Sequence, residues 1–129
     1  ELGLGNGRTF DHLRRLMPRR AVFAFDRQLS AHPSCVPDKA FFIQGDFEAT
    51  LPKALERIGG PAALCHADIG SGDERESAAL AQTIAPMIDR LMAAGGVVLG
   101  DQPMAIDRWA SLPLPDDVKA GRYFLYRVG

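Results

Sequence analysis

The sequence predicts an α/β fold, doubly wound around a mostly parallel sheet, with helices on both faces and an antiparallel strand at its C-terminal end. Three observations support this fold class. Short apolar runs alternate along the chain with longer segments whose apolar residues recur at helical spacing. The short runs are nearly continuous, which is typical of strands buried on both faces of a parallel sheet. The last run alternates apolar and polar residues instead, which indicates an antiparallel strand.

The strands are placed by these apolar runs. The predicted strands are, in order, residues 1–5, 21–26, 40–47, 61–68, 96–102 and 122–128. Because "ELGLG" runs directly into a glycine-rich turn, we interpret it as the tail of a strand and expect upstream residues to hold the rest of it. The final strand is expected to be an exposed edge, through which two copies could pair as a homo-oligomer.

The helices are placed by apolar stripes and by helix breakers. The predicted helices are, in order, residues 8–18, 50–60, 74–96 and 105–111. The first stops at Pro18, the second at Gly59 and the third at the glycine pair 95–96. The stripes direct Leu16 and Leu55 toward the core.

The composition is that of an ordinary globular domain. The chain has 129 residues, a formal net charge of -1 and 47% hydrophobic residues, so we expect one domain over residues 1–129. A charge near zero gives no footprint for nucleic acid or an anionic membrane, and we expect neither as a partner. The two cysteines form no CxxC pair, which favours a reducing, cytoplasmic setting.

The first predicted strand ends in glycines. Behind Glu1 they occupy every second position, at Gly3, Gly5 and Gly7. A glycine-rich turn between a strand and a helix lets a ligand approach the backbone, as nucleotide-type cofactors do. The pattern departs from the dinucleotide fingerprint, because Arg8 stands where the third glycine belongs, and no Walker lysine follows. A tight turn that binds nothing is the structural alternative.

Acidic residues end the next two predicted strands. Asp26 lies about 20 residues beyond the glycines, where a carboxylate can accept both hydroxyls of an adenosine ribose. Asp46 could accept a hydrogen bond from an adenine amino group, with Phe47 stacking nearby. For both aspartates, capping a following helix is the alternative.

At this point the chain resembles a family. The segments "ELGLGNGRT", "FAFDR", "IQGDF", "HADIG" and "AAGGVVLGD" occur in the order and spacing of the class I S-adenosylmethionine-dependent methyltransferases. The resemblance covers nearly the whole chain and extends to small bacterial methyltransferase-like domains with no assigned substrate. With one predicted strand after residues 96–102, the chain is shortened relative to the sheet of that family.

The resemblance implies a Rossmann-like fold and S-adenosyl-L-methionine as cofactor. It assigns the methionine part to Glu1 and the glycine loop, the ribose to Asp26, and the adenine to Asp46 and Phe47. The full implied set of cofactor-binding residues is Glu1, Gly3, Gly5, Asn6, Gly7, Asp26, Arg27, Gly45, Asp46, Phe47 and Asp68.

Methyl transfer is an in-line displacement, and a hydroxyl nucleophile needs a base or a metal to take its proton. By the resemblance, Asp68 faces the methyl group. His66 shares its side of the strand and is either a second catalytic residue or a buried histidine with satisfied hydrogen bonds. Asp68, Asp101 and Gln102 are placed like the ligands of metal-dependent O-methyltransferases, but the lysine of those enzymes is absent from residues 69–71. We therefore predict no metal.

The sequence thus predicts a methyltransferase that acts on oxygen or nitrogen of a small-molecule acceptor. Two alternatives remain open. One is a catalytically silent cofactor-binding module of the same fold. The other is an NAD(P)-binding Rossmann oxidoreductase.

Overall fold

The apolar runs and stripes form strands and helices in the computed structural model, which describes all of residues 1–129. The helices are α1 (Arg8–Leu16), α2 (Phe47–Thr50), α3 (Ala54–Ile58) and α4 (Glu74–Leu91). The strands are β1 (Ala24–Asp26), β2 (Phe42–Gln44), β3 (Ala62–Ala67), β4 (Met92–Gly100), β5 (Trp109–Leu112) and β6 (Phe124–Val128). Short 3-10 turns occupy Pro33–Cys35, Lys39–Phe41 and Leu51–Lys53.

The sheet is parallel on one side and antiparallel on the other. β1 pairs with β2 and β3 with β4 in parallel, whereas β6 is antiparallel to both β4 and β5. Leu2 joins the parallel pairs, since it forms parallel bridges to Phe25 and Ala67. Its amide donates to the His66 carbonyl over 2.8 Å and its carbonyl accepts from the Asp68 amide over 2.9 Å. The tail of a strand predicted at "ELGLG" is confirmed, and it lies between β1 and β3.

Buried side chains form two hydrophobic clusters on alternate residues of the strands. The larger cluster contains Phe25 together with Ile84 and Ile88 of α4. The smaller one contains Phe10 of α1 together with Ala24. Successive strand residues point to opposite faces, so α4 and α1 pack against opposite sides of the sheet near β1.

The C-terminal part departs from the predicted elements. Residues 105–111 do not form a helix, because Trp109 begins β5 and pairs with Val128 of β6. The indole nitrogen of Trp109 donates to an oxygen of Asp89 over 2.6 Å, which ties the strand to α4. Two strands therefore follow β4, and the predicted shortening is wrong. The last strand is also not an edge, because β6 lies between β4 and β5.

The segment predicted as one helix over residues 50–60 is divided. α2 already begins at Phe47, and a 3-10 turn separates it from α3. Thr50 is not a cap of a new helix; its hydroxyl donates to the carbonyl of Asp46 over 2.9 Å. Leu55 is 41% exposed rather than inward, since so short a helix buries only a narrow face. Gly59 ends α3 in the left-handed conformation, as predicted.

The ends of the two longer helices are partly as predicted. α1 ends before Pro18, but Leu16 in its last turn is 64% exposed. α4 stops at Leu91 rather than at residues 95–96, and the next residue begins β4. None of the helices combines the length and the apolar character needed to cross a lipid bilayer.

Candidate functional site

Four aspartates end neighbouring strands at one edge of the sheet. Asp26 is the last residue of β1, and Asp46 follows β2 by two residues. Asp68 and Asp101 directly follow β3 and β4, whose last residues are paired. The loop of residues 3–7 leaves the sheet between β1 and β3, in the middle of this row. This edge, where the carboxyl ends of parallel strands meet, is where α/β folds bind ligands.

The three glycines of the loop serve different purposes. Gly3 has φ +84°, and a Cβ there would lie 1.9 Å from the carbonyl oxygen of Asp68. Gly7 has φ +82°, and its Cβ would lie 2.8 Å from the Cβ of Cys35. At Gly5, with φ +51°, a Cβ would meet no atom within 4 Å. Gly3 and Gly7 thus make room for the protein itself, and Gly5 alone leaves open space for a ligand.

The carboxylate of Asp26 holds the glycine loop. Its Oδ2 accepts the amides of Leu4 over 2.8 Å and of Gly5 over 3.3 Å. Its Oδ1 accepts the amide of Gln28 over 3.2 Å. A carboxylate offers about four acceptor positions, so about one remains for a ligand. Asp26 does not cap a helix, and a bidentate grip on two ribose hydroxyls would have to displace a loop contact.

Asp46 is less committed to the protein than Asp26. It precedes α2 without making a side-chain cap bond. Its Oδ1 lies 3.5 Å from Nε of Arg27, and both side chains are exposed, 62% and 76% respectively. Phe47 packs, partly buried, against the larger hydrophobic cluster, and Gly45 turns the chain with φ +143°. The Asp46 carboxylate is therefore available to a ligand.

Asn6 stands at the tip of the loop. Its Oδ1 accepts the amide of Arg8 over 3.1 Å at the start of α1. Its carbonyl accepts the amide of His32 over 2.8 Å. Asn6 thus fastens the loop to the helix and to the segment beyond β1, while the residue itself stays exposed.

Glu1 and His66 form a pair within the sheet. Oε2 of Glu1 lies 2.9 Å from Nδ1 of His66, and the side chains are only 2% and 11% exposed. Both also line a cavity of about 430 Å³, together with Leu13 and Leu64. The sequence reasoning missed this pair. The pair could have been found from the sequence, because each of the two apolar strands contains a single polar residue. These residues become neighbours when Leu2 pairs with Ala67.

Asp101 holds the loop after β3 in the way that Asp26 holds the glycine loop. Its Oδ1 accepts the amide of Ile69 over 3.1 Å, and its Oδ2 accepts that of Gly70 over 2.8 Å. A Cβ on Gly70 would lie 2.7 Å from this Oδ2. Asp101 therefore binds a neighbouring loop rather than capping its own turn.

Asp68 is an aspartate at this edge whose pKa is shifted by its surroundings. Desolvation of its partly buried carboxyl raises its pKa, and the nearby charge of Asp101 raises it further. His66 acts in the opposite direction and Glu1 adds a smaller increase. The residue as a whole is nevertheless exposed, so its side chain is accessible from solvent.

The three oxygen donors considered for a metal are partly engaged by the protein. Both carboxylate oxygens of Asp101 already accept backbone amides. No group of three His, Cys, Asp or Glu side chains is arranged to hold a metal ion. Gln102 is half-buried beside Asp101 and adds an amide rather than a third carboxylate.

Several loop contacts could not have been found from residue types. The donors to the two loop-holding aspartates are main-chain amides of Leu4, Gly5, Gln28, Ile69 and Gly70. Every residue except proline carries such a donor, so the sequence pattern does not distinguish these positions from others.

Comparisons with known proteins bear on the whole chain. Residues 1–128 match the family model described as S-adenosyl-L-methionine methyltransferase. A crystal structure of an S-adenosyl-L-methionine methyl transferase from Silicibacter pomeroyi DSS-3 is 41% identical to this chain and superposes with a TM-score of 0.93. The match covers 99% of this chain and 78% of that one. No curated protein matches the chain.

Proposed function

Because the chain belongs to the S-adenosyl-L-methionine methyltransferase family, we propose that it transfers a methyl group to oxygen or nitrogen of a small-molecule acceptor. S-adenosyl-L-methionine is the cofactor of this family. One observation carries the assignment to this edge of the sheet. The glycine loop, with open space at Gly5, lies in a row of aspartates of which Asp46 and Asp68 are exposed.

The residues present fit the cofactor. The loop of residues 3–7 would hold its methionine part, the free acceptor position of Asp26 a ribose hydroxyl, and Asp46 the adenine amino group. When bound, S-adenosyl-L-methionine supplies a methyl group that is electrophilic because it is attached to a positively charged sulfur. Glu1 would support the glycine loop rather than contact the cofactor through its side chain, because its carboxylate is buried against His66.

Asp68 is the residue we assign to the acceptor's proton. It is exposed at the edge of the sheet and lies directly beside Gly3 of the cofactor loop. Its carboxylate would accept the proton of an attacking hydroxyl or amine as the new bond to the methyl carbon forms and the methyl–sulfur bond breaks, with S-adenosylhomocysteine as the leaving group. His66, 11% exposed and held by Glu1, would act through Asp68 as a positioning residue.

We also propose how the sheet is wound and in which cellular compartment the protein works. We interpret the sheet as doubly wound and Rossmann-like, because α1 and α4 pack against opposite faces and the glycine loop leaves the sheet where the strand order reverses. Two free cysteines fit a reducing cytoplasm. If two copies pair edge to edge, β5 rather than β6 is the strand available at that end, which sedimentation would test.

Calorimetry with S-adenosyl-L-methionine and S-adenosylhomocysteine tests the cofactor site. We expect micromolar binding, weakened about tenfold by Asp46→Ala through loss of a charge-assisted hydrogen bond. Asp38→Ala is the matched control, since Asp38 is also an exposed aspartate that precedes a short helix without a side-chain cap bond. Equal affinities of the two variants would refute the role of Asp46.

Turnover separates the remaining alternatives. We expect methyl transfer to at least one member of a panel of hydroxyl and amine acceptors, with much slower transfer in Asp68→Asn even at saturating S-adenosyl-L-methionine. Binding without transfer to any acceptor would favour the catalytically silent module. NADH binding in place of S-adenosyl-L-methionine would favour the oxidoreductase, for which the comparisons provide no support.

A further inference from the structure

A groove lies at the end of β5 and the start of β6. Leu112 at the end of β5 is paired with Leu125 of β6, and Phe124 at the start of β6 is paired with Gly100 at the carboxyl end of β4. The connection over residues 113–123 therefore begins and ends at the same edge of the sheet as Asp68 and Asp101. No residue of this connection entered the sequence-based assignment of a site.

The connection has a defined shape. Its first turn is closed by the amide of Val118, which donates to the carbonyl of Pro115 over 3.0 Å. A second turn follows, closed by the amide of Arg122 on the carbonyl of Lys119 over 3.3 Å, with Gly121 at φ +81°. The two turns form one wall of an open groove of about 460 Å³, and the paired strands form the other. Small-molecule sites in proteins have volumes of this order.

The lining of the groove is apolar and partly aromatic. Leu114 and Val118 of the wall are half-buried, as are Tyr123 and Phe124 at the start of β6. The guanidinium of Arg122 lies 5.8 Å from the centre of the Tyr123 ring, a cation–π contact that steadies the ring. Flat aromatic surfaces of this kind favour a flat aromatic ligand.

The lining of the groove carries little charge. Asp116 is the one charged residue in its lining, and Asp101 follows the β4 residue that pairs with Phe124. The lining contains no Lys, Arg or His, and the Arg122 guanidinium beside it lies over the Tyr123 ring. A carboxylate or phosphate buried against this lining would meet the Asp116 carboxylate and no cation of the lining itself.

We propose that this groove is the acceptor site and that the acceptor is a small aromatic molecule without an anionic group. The proposal rests on the proposed function, because the groove can be an acceptor site only if a methyl donor binds next to it. The apolar walls would exclude water from the acceptor, and the nucleophilic atom would face the edge that carries Asp68.

Phenol, aniline and benzoate are a matched set of probes, with cyclohexanol as the non-aromatic control. With protein saturated with S-adenosylhomocysteine, ligand-observed NMR should show phenol and aniline binding at least about tenfold more tightly than benzoate or cyclohexanol. Leu114→Asp should weaken phenol binding by about the same factor and leave S-adenosylhomocysteine affinity unchanged. Leu55→Asp, the same change at an exposed leucine outside the groove, should affect neither.

The outcomes separate the two proposals. Benzoate binding as tightly as phenol, or phenol binding that survives Leu114→Asp, would overturn the aromatic acceptor site. Normal S-adenosylhomocysteine binding with no response to phenol or aniline would overturn it as well, and would leave the cofactor site intact. Failure of the unmodified chain to bind S-adenosylhomocysteine would overturn the proposed function, and with it the acceptor role of the groove.

Discussion

The loop after Leu2 and the loop after β3 are built in the same way. In each, two main-chain amides donate to the carboxylate of an aspartate at the end of a neighbouring strand. Asp26 accepts from Leu4 and Gly5, and Asp101 accepts from Ile69 and Gly70. A carboxylate with backbone donors forms strong hydrogen bonds, so both loops are fixed before any ligand arrives.

The two loops differ in what they leave free. The glycine loop is held at both ends, by Asp26 and by the packing of Gly7 against Cys35, and it presents bare backbone at Gly5. The second loop presents Asp68, whose pKa is raised by its partial burial and by Asp101. One loop therefore presents bare backbone and the other a carboxyl group, and substitutions at five positions test this contrast.

The largest effect is expected at Gly3, where the two loops meet. A Cβ at this position would lie 1.9 Å from the Asp68 carbonyl oxygen, and rigid backbone on both sides cannot relieve the overlap. Gly3→Ala should lower the free energy of unfolding by about 3 kcal/mol or more. Urea unfolding measures the loss. A loss below about 1 kcal/mol would show that the strands separate easily here.

The loop-holding aspartates come next. Asp26→Ala and Asp101→Ala should each cost about 2 kcal/mol of unfolding free energy, because backbone donors lose a charged acceptor. Their effects on binding should differ. Only Asp26→Ala should weaken S-adenosylhomocysteine binding by about tenfold or more in calorimetry. Equal losses of affinity would mean that the loop after β3 also holds the cofactor.

Gly5→Ala should have a smaller effect on stability and a clear effect on binding. Its φ of +51° costs a residue with a side chain about 1 kcal/mol, and its Cβ would meet no protein atom. The added methyl group would occupy the open space above the loop and reduce S-adenosylhomocysteine affinity about tenfold. Unchanged affinity by calorimetry would place the ligand elsewhere.

The smallest effect concerns pH and Asp68. The pKa of its carboxyl is raised above the ordinary value of 3.8, so the folded chain holds this proton at pH values where the unfolded chain has lost it. The contribution of Asp68 to unfolding free energy therefore falls as pH rises through that window. Asp68→Asn should stabilise the chain at neutral pH by about 0.5 kcal/mol or less, since exposure screens the charge. Below the window the gain should vanish.

Chemical unfolding at about pH 7 and about pH 3 measures this difference. The gain should also shrink when Asp68→Asn is made in an Asp101→Asn background, because that charge contributes to the shift. A gain that is independent of pH would attribute the effect to packing rather than to titration.

Much of this arrangement was predictable because it depends on local chemistry. Continuous apolar runs predicted the five parallel strand positions from "ELGLG" to "GVVLG", and the glycines and aspartates after them predicted the edge of the sheet that carries the candidate site. Gly59 ended its helix as predicted because only backbone conformation was involved. The family resemblance rested on these same segments.

The tertiary structure decided what depends on neighbours distant in sequence. Trp109 begins a strand rather than continuing a helix because β6 and Asp89 supply its partners. Glu1 meets His66, and Asp101 meets Gly70, only when the strands are in register. The candidate cofactor-binding residues were predictable from the sequence alone, because residue type sets the chemistry of a side chain. Strand pairing across the sheet decided which of these residues bind a loop, which bind each other and which remain free for a ligand. The reason is that the partner of a hydrogen bond depends on which groups the fold brings close together.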